Sequence, residues 1–248
     1  MPGDTLNTVS RVIGIKENSN GKTGVVWVRT TGFNQRGETV MSFVRWVMVN
    51  KFEMDNPTPE PVLPDLPDAV PANELSGYPD MKTWDTALAG SPHTFGDYAV
   101  GEKINHVDGM TVEEAEHQIA TRLYQNTAKV HFDAHGQKDS RFGKRLIYGG
   151  VVISIARSLA FNGLANAGQM LAINAGSHVS PLFAGDTIYA WSEVLDKAEL
   201  SDACGALRLR LVAVKDQDPG AFAYKDAAGK YAAGVLLDFD YWAAIPKR

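Results

Sequence analysis

Apolar and polar residues in the first fifty positions follow the pattern of β-strands rather than of a helix. Thr23–Thr31 and Val40–Asn50 are rich in β-branched and aromatic residues, which strands favour. Asn- and Gly-containing turns flank them, at 18–21 and 34–37. With Thr5–Lys16 these segments predict a three-stranded meander over residues 1–54. Because three strands without a helix have little to cover their apolar face, we expect this unit to pack against something else.

Residues 55–92 are rich in proline and predict a connector. Six prolines lie between Pro57 and Pro71, and they favour extended backbone without regular ladder hydrogen bonds. Two interpretations stay open for this segment. It is either a strap that crosses the surface of the modules or a solvated linker.

Residues 93–248 combine two helical patterns with strands. Thr111–Glu114 has the composition of a capping box, and apolar residues follow at helical spacing: Val112, Ala115, Ile119 and Leu123. The segment Tyr148–Phe161 is apolar on nearly every side, which indicates a helix wrapped by other elements. Asn162-Gly163 is a suitable end for that helix.

Four strands are predicted after the apolar helix, at Met170–Asn174, Thr187–Leu195, Ala206–Val214 and Val235–Ile245. The last alternates, with Leu237, Phe239, Tyr241 and Ala243 on one face and Asp238 and Asp240 on the other. One helix enclosed by a curled antiparallel sheet is the hotdog fold, of the α+β class. The sequence therefore predicts a complete hotdog domain over residues 93–248.

A repeat at a fixed offset relates the two ends of the chain. Gly3-Asp4-Thr5-Leu6 and Ser10-Arg11-Val12-Ile13 recur as Gly185-Asp186-Thr187-Ile188 and Ser192-Glu193-Val194-Leu195, 182 residues further on (185 − 3 = 182). Such a repeat indicates two related modules, a double hotdog. Only Met1 and Pro2 precede the first copy, so residues 1–54 are predicted to be a partial module. We expect the chain to be the C-terminal part of a longer two-module protein.

Composition narrows the classes of function. A net charge of −5 argues against a general nucleic-acid binder. The single Cys204 excludes an intrachain disulfide and a cysteine-based metal site, and fits a reducing compartment. The sequence shows neither a targeting pattern at its start nor an apolar run of about 20 residues, the length that spans a bilayer. We expect a cytoplasmic protein, and a homodimer or higher homo-oligomer that covers the three-stranded sheet.

Candidate chemistry lies in the loop before the apolar helix. His131 follows Asn126 by five residues, and Asp133 adds a carboxylate. A histidine with a hydrogen-bonding partner positions and deprotonates water. Gly149 and Gly150 open the helix, where backbone N–H groups and the helix dipole stabilise a developing oxyanion. These are the groups needed to add water to an α,β-unsaturated thioester, although the two glycines also suit close helix–strand packing.

The loop and helix resemble the MaoC-like, (R)-specific enoyl-CoA hydratase family of hotdog proteins. Its signature, Asp-x-Asn-Pro-(Ile/Leu)-His, falls on residues 126–131, where Asn126 replaces the Asp and Ala128-Lys129 replaces Asn-Pro. The family's His-Gly becomes Tyr148-Gly149, and Phe183–Thr187 matches its Phe-x-Gly-Asp-(Thr/Glu) motif. Longer blocks, such as 123–132 and 157–166, resemble the branch of that family that hydrates mesaconyl-CoA.

The resemblance implies reversible hydration of a branched dicarboxylic acyl-CoA, with no metal or redox cofactor and with CoA as part of the substrate. It implies catalytic roles for His131, Asn126 and Asp133. Tyr148, Gly149, Gly150 and Arg157 are the expected substrate-binding residues. Arg157 would meet either the free carboxylate of the substrate or a structural Asp or Glu. Lys138, Arg141, Lys144 and Arg145 either meet CoA phosphates or form a solvated basic loop.

Two alternatives to a hydratase remain from the sequence. An inactive acyl-CoA-binding or assembly half is one, since Asn126 departs from the signature. A hotdog thioesterase is the other, but it needs a carboxylate on the central helix, and no Asp or Glu lies between Gly149 and Asn166.

Overall fold

The computed structural model describes residues 3–248 and divides the chain into two compact units that meet between Pro67 and Asp68. Met1 and Pro2 of the predicted first module lie outside the described residues. This boundary falls inside the segment predicted as a connector. The reason is that the first part of that segment pairs with the first unit, whereas the second part packs on the second unit.

The first unit is an antiparallel sheet of three strands in sequence order, β1 (Asn7–Glu17), β2 (Thr23–Phe33) and β3 (Thr39–Asn50). Val62 extends its edge through two backbone hydrogen bonds with Ile15, of 2.8 and 2.9 Å. As expected for a sheet without a helix, apolar side chains of β3 remain exposed; Trp46 and Met48 have exposed fractions of 62% and 67%.

Residues 68–92 are fixed to the second unit by buried side chains and hydrogen bonds. Leu75 and Met81 are buried. The Trp84 indole N–H donates to Asn166 Oδ1 at 2.8 Å, and the Tyr78 hydroxyl donates to the Leu200 carbonyl at 3.0 Å. This part of the predicted connector is a strap rather than a solvated linker.

The second unit is a five-stranded antiparallel sheet with the order β4-β6-β7-β8-β5. Its strands are β4 (Lys103–Thr111), β5 (Met170–His178), β6 (Thr187–Glu199), β7 (Cys204–Lys215) and β8 (Val235–Pro246). Three helices accompany them: α1 (Glu114–Leu123), α2 (Gly149–Leu159) and the short α3 (Phe161–Leu164). Short 3₁₀ turns lie at Ala72–Glu74, Phe95–Asp97, Lys129–His131 and Pro219–Ala221.

Helix α2 packs against this sheet, and together they form the core of the unit. Val151, Val152, Ile155, Ala156 and Leu159 bury their side chains against apolar residues of β6, β7 and β8. Gly163, with φ +99°, ends the helical segment as the Asn-Gly pair predicts. The predicted hotdog architecture is confirmed.

Helix α1 differs from the prediction in its buried face. Its N-cap is Glu113, which makes no side-chain cap, so the predicted capping box is wrong. Ile119 and Leu123 are exposed, at 66% and 72%, whereas His117 and Thr121 are buried. The helix turns this polar pair inward because His117 hydrogen-bonds the start of α2.

The repeat seen in the sequence has a counterpart in backbone geometry. Gly3 and Gly185, which precede β1 and β6, share a left-handed conformation with φ of +92° and +94°. Each strand then carries a register shift against its neighbour, between Val12 and Gly14 in β1 and between Val194 and Asp196 in β6. The two shifts are separated by the offset of the sequence repeat, so β1–β3 and β6–β8 are versions of one meander.

Candidate active site

The first two peptide N–H groups of α2 have no partner among the residues that the structure describes. Tyr148, the N-cap residue, supplies no side-chain cap, and the Val151 N–H bonds the Tyr148 carbonyl at 2.9 Å. Among residues 3–248, no acceptor meets the N–H of Gly149 or Gly150. Free N–H groups at the positive end of a helix dipole form a receptor for an oxyanion.

Both glycines make room for an aromatic ring. A Cβ on Gly149 would lie 2.5 Å from His178 Nε2, and a Cβ on Gly150 would lie 2.8 Å from two ring carbons of Tyr148. These separations are far below ordinary van der Waals contact. A side chain at either position would displace its ring, so the glycines bring His178 and Tyr148 against the helix start while leaving the N–H groups free.

His131 lies beside the same helix end. It closes the 3₁₀ turn Lys129–His131, and its Nδ1 lies 3.0 Å from the Leu146 carbonyl oxygen. A carbonyl only accepts, so Nδ1 carries the proton and Nε2 of the neutral ring keeps a free lone pair. The ring centroid lies 5.6 Å from that of Tyr148. His131 is therefore an available proton acceptor next to the two free N–H groups.

His117, on the inward face of α1, holds the start of α2 in position. The ring is fully buried, and Nε2 accepts the Tyr148 N–H at 2.9 Å. Burial, followed by the neighbouring His131, lowers the pKa of His117 and keeps it a neutral acceptor. Nδ1 of His117 is buried and has no hydrogen-bond partner in the described part of the chain. Sequence analysis did not predict a role for His117. The available signal was its spacing of four residues from Thr121, which places both side chains on the inward face of α1.

His178 reaches the site from the end of β5. Its ring packs on Gly149, and neither ring nitrogen has a hydrogen-bond partner among the described residues. The contact with Gly149 leaves the rest of the residue exposed. Although the residue as a whole is exposed, its ring loses water where it packs on the helix start, and this desolvation, followed by the neighbouring His131, lowers the pKa of His178. Sequence reasoning missed His178 as well, since no local pattern links it to Gly149.

Asn126 and Asp133 both hold turns in the loop. Asn126 Oδ1 accepts the Ala128 N–H at 2.8 Å. Asn126 also lines a cavity of about 280 Å³, together with Gln118 and Phe132. Asp133 Oδ1 accepts the Gly136 N–H at 2.8 Å. Within residues 3–248, neither side chain hydrogen-bonds the His131 ring. The structure brings together His131, Tyr148 and the two glycines, but not the two other expected catalytic residues.

Arg157 has partners that differ from those expected. Its guanidinium donates to the Tyr241 hydroxyl at 2.7 Å and to the carbonyls of Ala167 and Gly168 at 3.3 and 3.1 Å. The prediction of an acidic structural partner is therefore wrong. Arg157 lies eight residues after Gly149, about 12 Å along the helix axis. The expected contact with the substrate is not favoured, because the guanidinium is bound at the far end of α2.

The basic loop is partly engaged in the fold. Lys144 Nζ lies 4.2 Å from the centroid of the Phe183 ring, and Arg145 pairs with Glu114. Within the described part of the chain, no group of His, Cys, Asp and Glu could hold a metal ion. None of the helices between residues 3 and 248 has the length and hydropathy that crossing a bilayer requires.

Comparison with known proteins gives two curated relatives. The chain is 60% identical over 250 residues to the mesaconyl-CoA hydratase of Cereibacter sphaeroides, covering 99% of this chain and 71% of that protein. It is 55% identical over 251 residues to the β-methylmalyl-CoA dehydratase of Chloroflexus aurantiacus, covering 100% of this chain and 71% of that protein. No family model matches the chain.

Solved structures agree with these relatives. A putative MaoC domain protein dehydratase from Chloroflexus aurantiacus superposes with a TM-score of 0.94 at 55% identity, covering 100% of this chain and 72% of that one. A Mycobacterium tuberculosis protein with a double hotdog fold gives a TM-score of 0.63 at 24% identity over 98% of this chain and 69% of that one, a likeness of fold alone. The chain belongs to the mesaconyl-CoA hydratase (β-methylmalyl-CoA dehydratase) family of MaoC-like hotdog proteins.

Proposed function

We propose that this chain is a hydro-lyase that adds water to the double bond of mesaconyl-CoA to give β-methylmalyl-CoA, and that it catalyses the reverse reaction. The observation that carries the proposal is the free Nε2 of His131 beside the unpaired N–H groups of Gly149 and Gly150. The two curated relatives are named for the two directions of this reaction.

The mechanism follows from these groups. The thioester oxygen accepts hydrogen bonds from the Gly149 and Gly150 N–H groups, which draws electron density from the conjugated double bond. Water attacks the β-carbon as His131 Nε2 takes one of its protons. The electron pair of the double bond moves towards the thioester oxygen and forms an enolate. A proton then returns from the His131 imidazolium to the α-carbon, so hydroxyl and hydrogen add across the former double bond.

Other residues of the site assist this sequence. Asn126 cannot act as a base, and its Oδ1 accepts the Ala128 N–H, so it holds the loop that carries His131 rather than the attacking water. Tyr148 forms a wall between His131 and Gly150. Asp133 shapes the loop through Gly136 rather than replacing the carboxylate of the family signature. Hydration is redox-neutral, so the reaction requires no electron carrier. CoA enters as part of the substrate.

We also propose that the chain associates with a second copy of itself. Exposed apolar residues of β3, including Trp46 and Met48, favour a homodimer or higher homo-oligomer over a monomer. The buried, unpaired Cys204 fits a cytoplasmic location.

The test is a direct assay with mesaconyl-CoA. Loss of the conjugated thioester absorbance, with β-methylmalyl-CoA identified by mass spectrometry, is expected for the wild-type chain. His131→Gln should lower kcat by about 100-fold or more, the usual scale for a lost acid/base group. His135→Gln, in an exposed part of the same loop, is the matched control and should keep full activity.

Three other outcomes would contradict the proposal in distinguishable ways. Release of free CoA without a hydrated product would indicate a thioesterase. Binding of mesaconyl-CoA without turnover would indicate an inactive acyl-CoA-binding half. Full activity in His131→Gln would place the chemistry elsewhere in the fold.

A further inference from the structure

His178 is an imidazole at the site that the hydration mechanism does not use. Its ring lies against Gly149, the first residue of α2, with Nε2 2.5 Å from the position of a Cβ on that glycine. Both ring nitrogens are without hydrogen-bond partners among residues 3–248. The residue is otherwise exposed, so a polar ring placed this close to the oxyanion receptor is accessible to a ligand that binds there.

The substrate has one charged group near the reacting carbons. In mesaconyl-CoA the β-carbon bears a free carboxylate, three carbon–carbon bonds from the thioester carbon. That carboxylate carbon lies no more than about 4.5 Å from the thioester carbon, from bond lengths of about 1.5 Å. With the thioester oxygen at Gly149 and Gly150, the carboxylate must bind close to the same end of α2.

Three of the cations expected at the site are held by other groups. Arg157 is bound to Tyr241 and to two carbonyls, and it lies about 12 Å further along the helix. Arg145 is paired with Glu114, and Lys144 lies over the Phe183 ring. His178 is the unpaired nitrogen donor that touches Gly149.

We infer that His178 binds the free carboxylate of the acyl group and makes the site selective for dicarboxylic over monocarboxylic acyl-CoA esters. This inference rests on the proposed function, because it needs the thioester oxygen at Gly149 and Gly150. A hydrogen bond to a carboxylate is among the stronger ones in proteins, and proximity to the positive end of α2 adds to it.

The ring environment is consistent with this role. Without a ligand, desolvation of the ring at the helix start and the neighbouring His131 lower the pKa of His178, which favours the neutral ring with one N–H donor. A carboxylate beside the ring favours its protonated form, which strengthens the contact only when the dicarboxylic ligand is bound.

Two saturated ligands separate this contact from catalysis. Succinyl-CoA carries a free carboxylate where butyryl-CoA carries a methyl group, and neither can be hydrated. Isothermal titration should show tighter binding of succinyl-CoA by the wild-type chain. His178→Leu, which has no donor, should reduce that preference by about 10- to 100-fold, the range for a lost hydrogen bond to a charged group, and leave butyryl-CoA binding within about twofold.

Gly149→Ala is an independent second variant. Its new methyl group would meet the His178 ring and displace it, while the backbone N–H and the helix-forming character of the position are kept. It should lose the preference for succinyl-CoA as His178→Leu does. His135→Gln, on an exposed loop, should keep it.

The results have separate meanings. A wild-type chain without a preference for succinyl-CoA, or variants that retain the preference while folded by circular dichroism, would overturn the role of His178. A wild-type chain that prefers succinyl-CoA but does not hydrate mesaconyl-CoA would contradict the proposed function alone.

Discussion

His117 offers a test of how the oxyanion receptor is held in place. Its Nε2 accepts the Tyr148 N–H at 2.9 Å from a fully buried ring. His117→Met keeps an apolar side chain of similar length but removes the acceptor. His117→Gln is the conservative partner, because its amide oxygen can reach the position of Nε2.

Two opposing terms set the expected change in stability. The Tyr148 N–H loses its acceptor, which costs about 1–3 kcal/mol for an unsatisfied group. The substitution also removes the buried, unpaired Nδ1, which relieves a penalty of about the same 1–3 kcal/mol. Because the two terms offset, we expect the free energy of unfolding of His117→Met to stay within about 1 kcal/mol of wild type.

Activity should respond differently from stability. Without His117, the Tyr148 N–H at the start of α2 loses its acceptor and the first turn is free to shift, and misplacing a catalytic group by about 1 Å lowers the rate by about 100-fold. We expect kcat of His117→Met for mesaconyl-CoA to fall by about that factor, and His117→Gln to recover most of it. Urea unfolding gives the stability, and the absorbance assay gives the kinetics.

Two results would contradict the roles assigned to His117. Wild-type kcat in His117→Met would show that the hydrogen bond to Tyr148 does not position the receptor. An unfolding free energy lowered by more than about 3 kcal/mol would show that the buried Nδ1 is satisfied by an internal partner, such as water.

Further predictions concern stability and assembly. Burial lowers the pKa of His106 from 6.5 to about 4, so its contribution to stability is complete above pH 6.5 and is lost as the pH falls. Urea titrations should show that the free energy of unfolding falls by about 3 kcal/mol between pH 6.5 and pH 4. This loss should be absent in His106→Gln. Arg157→Met should lower the free energy of unfolding by about 1–3 kcal/mol, because Tyr241 and two carbonyls lose a donor. Its kcat should change less than about threefold. A much larger loss of kcat would show that Arg157 takes part in the active site. Light scattering should give at least a dimer, and a monomer at micromolar concentration would contradict the proposed assembly.

Sequence patterns predicted most of the fold because the periodic elements are strongly biased. The apolar run of α2 and the alternating β8 leave few alternatives for their burial, and the 182-residue repeat predicted the matching meanders. The apolar stripe of α1 misled for a physical reason. Ile119 and Leu123 have helical spacing, but the bond from His117 to the start of α2 decides which face turns inward.

The site was predictable only where it is local in sequence. His131 lies in the signature at 126–131 and the two glycines open the apolar helix 18 residues later (149 − 131 = 18), so sequence analysis found them. His178 was not predictable, because only the pairing of β5 with β8 at the sheet edge carries it to Gly149. Arg157 was placed wrongly because its partners, Tyr241 and the 167–168 carbonyls, come from distant parts of the chain.

The most direct test of the central claim follows the oxygen atom of water. Wild-type, His131→Gln and His135→Gln chains are incubated with mesaconyl-CoA in H₂¹⁸O, and the product is analysed by mass spectrometry. The account predicts one ¹⁸O in the hydroxyl group of β-methylmalyl-CoA, formed about 100-fold more slowly by His131→Gln and at the wild-type rate by His135→Gln. Unlabelled product, no hydrated product, or equal rates for the wild-type and His131→Gln chains would contradict it.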